Sequence, residues 1–335
     1  MAITESYNIE RPAQSNSAGA VTALQIEEYT GVVESTIERK AILKGWIPVR
    51  NVRGTGVITN FAVGESTLGK VVPGVQPDGN SNNDFAKRSL RVDSLIFART
   101  ILPLLEVFQT SYDARKEIGQ EHGKKIAKFW DQAFFIQAIK TSLLTDSAYR
   151  GAGGAGKPGG HFGGSQQALG SAGDKADPAK LYAAIAGLFT KMEAKDVDPQ
   201  SDDVMLAVKP AEFYTLLQNE QLIDGTYVTS EGTKIQGMLL KSYGVPVVRS
   251  NNFPGSETIT GHLLSNTDNS NAYDGDFSKI VATAFSPRAL MAGETIALET
   301  DVFYDKLSKH WFVDAHLSFA VGPNRAEFAG SIVLP

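Results

Sequence analysis

Two stretches decide the fold: GWIPVRNVRGTGVITNFAVG (45–64) and, after a polar gap, RSLRVDSLIFA (88–98). In the first, Trp46, Pro48, Val49 and Val52 are followed by Val57, Ile58, Phe61 and Val63, an extended pattern broken by Gly54 and Gly56. In the second, Leu90 and Val92 alternate with polar residues and, after Ser94, Leu95 and Phe97 resume the apolar signal. Residues 64–84 between them are crowded with Gly, Pro, Asn and Ser and read as a loop. The sequence thus predicts a long two-stranded excursion with a loose tip. A lone hairpin is marginally stable in water. Its apolar residues have no partner nearby in sequence, so they must dock on another subunit or on the body of the chain. Trp46, Val57, Phe61, Val63, Leu90, Val92 and Phe97 are the expected contact residues.

Working outward, residues 1–20 read as a mobile arm, too poor in large apolar side chains to repay the cost of ordering. Val21 to Leu43 has helical periodicity. Residues 111–143 carry the longest helical signal, with His122, Ile126, Phe129, Ala133, Ile136 and Leu143 in a three-four rhythm. Such a helix would be roughly 50 Å long, a spine rather than a packing element of a small domain. Residues 150–176 (RGAGGAGKPGGHFGGSQQALGSAGDKA) read as a low-complexity glycine-rich loop, flexible rather than folded. Asp177-Pro178 is a capping residue followed by a first-turn proline, opening a helix with Leu181, Ile185, Leu188, Phe189 and Met192 on one face.

From Val204 a small α/β module is predicted. VMLAV is a strand, and Pro210 opens a helix bearing Phe213, Leu216 and Leu217. VPVVRS (245–250), TITGHLL and KIVATAF are further strands around a polar loop at 265–278. The final segment is the clearest β signal. Trp311, Val313, Ala315, Leu317, Phe319 and Val321 alternate with Phe312, Asp314, His316, Ser318 and Ala320. Asp305 to Lys309 forms the preceding turn, with Val302, Phe303 and Tyr304 on the opposing strand.

Composition removes several kinds of chemistry. The 335 residues include no cysteine, which excludes disulfides, thiolate metal sites and a cysteine nucleophile. Lys plus Arg number 32 against 37 Asp plus Glu, a net charge of −5 with no basic footprint for gripping nucleic acid. No signal peptide and no run of about 18 apolar residues is visible, so neither export nor a membrane is expected.

The remaining motifs fail on detail. GESTLGKV (64–71) and GAGGAGKP (151–158) both fit the glycine-and-lysine spacing of a phosphate-binding loop. Each lacks the hydroxyl residue that must follow, having Val71 and Pro158 instead, and neither leads a helix. His310 and His316 share a strand face but would lie about 20 Å apart, too far to bind one metal. His122 reads as a core-edge residue. NTDNSNAYDGD (266–276) is rich in oxygen donors but lacks the glycine and terminal glutamate spacing of a calcium loop, so a solvated turn is expected. No catalytic residue, cofactor or metal ligand emerges.

Three stretches together resemble the HK97-like major capsid proteins of tailed double-stranded DNA phages, most nearly those of short-tailed podoviruses. Residues 36–74 with the return strand 88–98 match the extended loop through Arg53, Gly54, Phe61, Val63 and Gly64. VMLAVKPAEFYTLL…IQGMLLKSYGVPVVRSNNFPG (204–255) is similar to the axial domain, and the chain ends in a comparable β unit. The resemblance implies an α+β fold in five parts. These are an N-terminal arm and helix at 1–44 and an extended loop at 45–97, then a peripheral domain at 98–194 with the spine helix. An axial domain at 195–285 and a peripheral β return at 286–335 complete the set. It implies a non-enzymatic shell protein without cofactors, built in the host cytoplasm into pentamers and hexamers of identical subunits. The shell would enclose double-stranded DNA in the virion, with scaffolding, portal and decoration proteins as further partners. Some members cross-link a loop lysine to an asparagine; Lys70 and Asn324 lie in suitable regions, although short-tailed relatives generally lack the chemistry. The competing expectations are an encapsulin-type nanocompartment shell and a nucleotide-dependent enzyme using 64–71.

Overall fold

The computed structural model describes residues 42–43, 45–66, 68–70, 73–74, 85–104, 114–149, 159–218, 227–228, 234–235 and 241–335. The expected arm at 1–20, nearly all of the helix at 21–43 and the glycine run 151–158 lie outside them. The described elements are, in order, β1 (Val49–Asn51), β2 (Val57–Val63), β3 (Phe85–Arg91), β4 (Ile96–Pro103), α1 (Ala114–Ser142), β5 (Ser165–Ala168), α2 (Pro178–Glu193), β6 (Met205–Val208) and α3 (Pro210–Leu216). They continue with β7 (Tyr227–Val228), β8 (Lys234–Ile235), β9 (Lys241–Ser242), β10 (Val245–Arg249), β11 (Thr258–Ile259), β12 (Gly275–Asp276), β13 (Ile280–Phe285), β14 (Leu290–Asp305), β15 (His310–Pro323) and β16 (Ala329–Val333).

The chain forms two compact units. The described part of the first holds residues 42–43, 94–104, 114–130 and 295–319. Here β4 runs antiparallel to β15, with Phe312 opposite Ile101, Asp314 opposite Arg99 and His316 opposite Phe97. The apolar face read from 311–321 is buried at Val313, Ala315, Leu317, Phe319 and Val321, with Trp311 half-buried. Phe319 meets Phe129 edge-on at 6.0 Å and Trp130 at 6.2 Å. The opposite face departs from simple alternation: Asp314 is buried against Arg99 at 2.7 Å, and Ser318, which donates to the Ser94 carbonyl at 2.9 Å, and Ala320 are buried as well. The turn falls where the sequence put it, at 306–309, with Lys309 at positive φ.

The second unit holds the described residues within 45–93, 131–294 and 320–335. Its six-stranded mixed sheet has the order β5-β16-β13-β6-β10-β9. Every residue of β6 and β13 is buried, as their unbroken apolar runs MLAV and IVATAF require. The α2 helix begins as read, with Asp177 accepting from the amides of Ala179 and Lys180 at 3.0 and 3.3 Å, and all five residues of its expected face are buried. In α1, Phe134, Phe135 and Ile136 are fully buried, and Phe135 packs edge-on to Phe253 and Phe285.

The sheet draws on strands at 165–168, 205–208, 241–242, 245–249, 280–285 and 329–333. Three expectations are corrected. TITGHLL gives only the two-residue β11, because the chain turns at Gly261 (φ +67). The run 88–98 is two strands: β3 pairs with β2, whereas β4 pairs with β15. The described part of the glycine-rich segment is folded, with Gly163 and Gly164 crossing the end of α1 and leading into β5.

That crossing needs glycine for space. A Cβ on Gly164 would lie 2.3 Å from the Ser142 carbonyl oxygen, and one on Gly163 would lie 2.4 Å from that of Thr145. The Gly164 amide also donates to the Leu144 carbonyl at 2.8 Å. Backbone cannot retreat as a side-chain end does. Gly164→Ala should therefore destabilise the subunit by about 3 kcal/mol or more, measured by denaturant unfolding against Gly159→Ala, whose Cβ meets ordinary contacts.

Candidate assembly surface

The excursion is the β2–β3 hairpin, narrower than the expected 45–97. Its register runs from Val57 opposite Arg91 to Val63 opposite Phe85. The Val92 amide closes its base on the Gly56 carbonyl at 2.8 Å, and Gly54 takes positive φ just before. Period-two alternation then sorts the side chains. Ile58, Asn60 and Ala62 face the same way as Leu90, Arg88 and Ala86, while Val57, Thr59, Phe61 and Val63 share the other face with Arg91, Ser89, Lys87 and Phe85.

The inner face is seated on its own body. Ile58 and Ala62 are buried. Ile58 Cδ1 fills the space where a Cβ on Gly293 would sit, and Leu90 Cδ1 comes within 3.0 Å of the Cβ position at Gly322. Polar contacts surround this seat. Arg50 Nη1 donates to Asn60 Oδ1 at 2.5 Å, and Asn60 Nδ2 donates to Asn324 Oδ1 at 3.1 Å. The Tyr149 hydroxyl also donates to Asn324 Oδ1, and Asn324 Nδ2 donates to the Arg288 carbonyl at 3.1 Å. Arg88 donates to the Ala148 carbonyl at 2.7 Å. At the far end, the Glu65 amide donates to the Gly159 carbonyl at 2.9 Å, and His161 Nε2 lies 3.1 Å from the Val63 carbonyl. Burial pushes the Tyr149 hydroxyl above its ordinary pKa, which keeps it a donor.

The outer face is open. Phe61 and Phe85 are 72% and 73% exposed, and Val57 and Val63 are 43% and 51% exposed. Four large apolar side chains on one two-stranded face form a patch of the kind that marks an interaction site. Lys87 and Arg91 add positive charge, with Arg91 3.8 Å from Asp268.

The seven residues singled out in the sequence therefore separate. Val57, Phe61 and Val63 lie together on the outer face. Leu90 and Val92 turn inward because the register places Leu90 opposite Ile58. Trp46 packs edge-on to Phe285 at 5.3 Å. Phe97 is exposed on β4 rather than on the hairpin, sharing a face with Ile101, and Arg99 lies 5.4 Å from the Phe97 ring and 5.8 Å from that of Phe312. Phe85 was missed, because it sits at the edge of the polar gap rather than inside a visible alternation.

The candidate chemical sites are described only in part. Residues 64–66 and 68–70 are irregular, and the second glycine-and-lysine stretch, 151–158, lies outside the described residues. Asp274, in the oxygen-rich loop, accepts from the amides of Gly261 and His262 and from Ser265 Oγ, so its carboxylate is spent on the turn. Among the described residues no group of His, Asp and Glu is arranged to hold a metal, and no helix is long and apolar enough to cross a membrane.

Residues 61–301 match the family model of Gp10A-like major capsid proteins. The chain belongs to this family of major capsid proteins. No curated protein matches it in sequence. The capsid protein resembles the structure of the cyanophage P-SCSP1u capsid at a TM-score of 0.71, with 16% identity and 88% of each chain covered. It resembles the mature capsid of bacteriophage PhiM1 at 0.69, with 20% identity, covering 97% of this chain and 91% of that one. A virus-like particle from Pyrococcus furiosus follows at 0.53, with 10% identity and coverage of 92% and 99%. These likenesses establish the HK97-like α+β fold. The protein is a structural subunit of a virion shell, not an enzyme.

One buried histidine of the capsid protein makes its stability depend on pH. His122 on α1 lies 3.0 Å from Thr100 Oγ1. Burial lowers its pKa below 6.5, Lys125 lowers it further, and Asp314 and Glu121 oppose the shift. The folded state thus binds fewer protons than the unfolded one in this window. The stability from neutral His122 is complete above pH 6.5 and is lost as pH falls through the lowered value. His122→Gln should flatten the stability–pH curve below pH 6.5, read by urea unfolding, leaving a residual slope from His262, whose pKa burial also lowers.

Proposed function

We propose that this major capsid protein closes into pentamers and hexamers of an icosahedral shell around double-stranded DNA, in a short-tailed phage. In that shell the outer face of the β2–β3 hairpin is covered by a neighbouring copy. The observation that carries this reading is the exposure of Phe61 and Phe85 beside Val57 and Val63 on a hairpin whose other face is already buried. A heterologous contact of this kind, repeated around an axis, closes into rings. The net charge of −5 suits a container that must not adhere to its packaged DNA. The sequence resemblance in 36–98 and 204–255 favours the short-tailed type. It also favours axial contacts from residues around 195–285, with scaffolding, portal and decoration proteins as further partners.

Phe61→Glu tests the reading. It places a charge where a neighbour would desolvate it. The expected result is a folded subunit with a wild-type unfolding curve and at least about a tenfold loss of particles by sedimentation and electron microscopy. Undiminished particle formation would remove the hairpin from the interface. Extracting nucleic acid from purified particles separates a phage shell from a cargo-loading one: packaged double-stranded DNA is expected, and enclosed protein without DNA would favour the cargo shell.

A further inference from the structure

We infer that Asn324 is the positioning residue of the assembly hairpin. Through Asn60 and Tyr149 it fixes the angle at which the outer face is presented before any neighbour arrives. This inference rests on the proposed role of that face and concerns how the subunit prepares it.

Asn324 lies just after β15, far in sequence from the hairpin, and both ends of its amide are committed. Its Oδ1 accepts from Asn60 Nδ2 and from the Tyr149 hydroxyl, and its Nδ2 donates to the Arg288 carbonyl. Asn60 is the central inward-facing residue of β2 and is itself oriented by Arg50 at 2.5 Å. Arg50, Asn60, Asn324 and the Arg288 carbonyl therefore form a directional chain of hydrogen bonds linking β1, β2 and the segments on either side of the β14–β15 hairpin. On each side of Asn60 the seat is apolar and slippery: Ile58 lies on Gly293, and Ala62 is a single methyl group. Apolar contact is non-directional. The amide contact at Asn60 fixes register and angle, as directional hydrogen bonds do and burial alone does not. The Glu65–Gly159 and His161–Val63 contacts then hold the far end of β2. A pre-set hairpin spares the ordering cost that a loose one would incur on meeting its neighbour.

The test is hydrogen exchange on full-length unassembled subunits, followed by assembly of the same preparations. Asn324→Ala and Asn60→Asp should raise exchange in 57–63 and 85–91 by about tenfold. The buried strands β13 and β16 should exchange at wild-type rates, which a general loss of structure would not allow. Asn324→Asp keeps both acceptor contacts and should restore most of the protection. Particle yield should fall with Asn324→Ala and recover with Asn324→Asp. Wild-type hairpin exchange in both Asn324→Ala and Asn60→Asp would overturn the inference, as would a loosened hairpin that assembles at full yield. Phe61→Glu separates the two readings: it should abolish particles while leaving the hairpin protected. If it assembles normally, the outer-face reading fails while the exchange data still report on Asn324.

Discussion

The structure depends on the two-residue period of one short hairpin. In β2 and β3 each side chain belongs to one face or the other, and the register from Val57–Arg91 to Val63–Phe85 leaves no freedom in the assignment. A slip by one residue would turn Phe61 and Val63 onto the glycine floor at Gly293 and Gly322 and expose Asn60. One face is therefore anchored to the subunit while the other remains exposed. A neighbouring copy over the exposed face, as proposed, would complete the burial of this hairpin.

The anchoring relies on residues that carry little apolar surface. Gly293 and Gly322 create room for Ile58 and Leu90, Gly163 and Gly164 let the chain cross the end of α1, and Asn324 joins three hydrogen bonds. Each acts through geometry rather than hydrophobic area. Larger side chains at the glycines would fill space the partners need, and a side chain without an acceptor oxygen at 324 would leave the Asn60 and Tyr149 donors unmatched. The family match and the capsid-like fold give these details their purpose, since a shell subunit must hold its contacts at defined angles over many copies.

Much of this was legible in the sequence because it rests on period and capping. The alternation in 311–321, the Asp177-Pro178 helix start, the buried strands MLAV and IVATAF and the long α1 helix all follow from local patterns. What was hidden depends on contacts distant in sequence. Nothing in RSLRVDSLIFA announces that β3 ends at Arg91 and that β4 joins a different sheet, because only its partner β15 decides that. The glycines at 163–164 look like the rest of a flexible run, and only the carbonyls of Ser142 and Thr145 distinguish them. In the site itself, Val57, Phe61 and Val63 were readable from alternation. The inward turn of Leu90, the place of Phe97 in another sheet and the role of Asn324 required the register.

The most direct test of the central claim uses the absence of cysteine from the chain. Ser89→Cys introduces a unique, nearly isosteric thiol on the outer face, opposite Thr59. Its rate of reaction with a maleimide should be fast in dissociated subunits and at least about tenfold slower in intact particles, as a buried interface requires. Equal rates in the two states would show that no neighbour covers this face and would contradict the account.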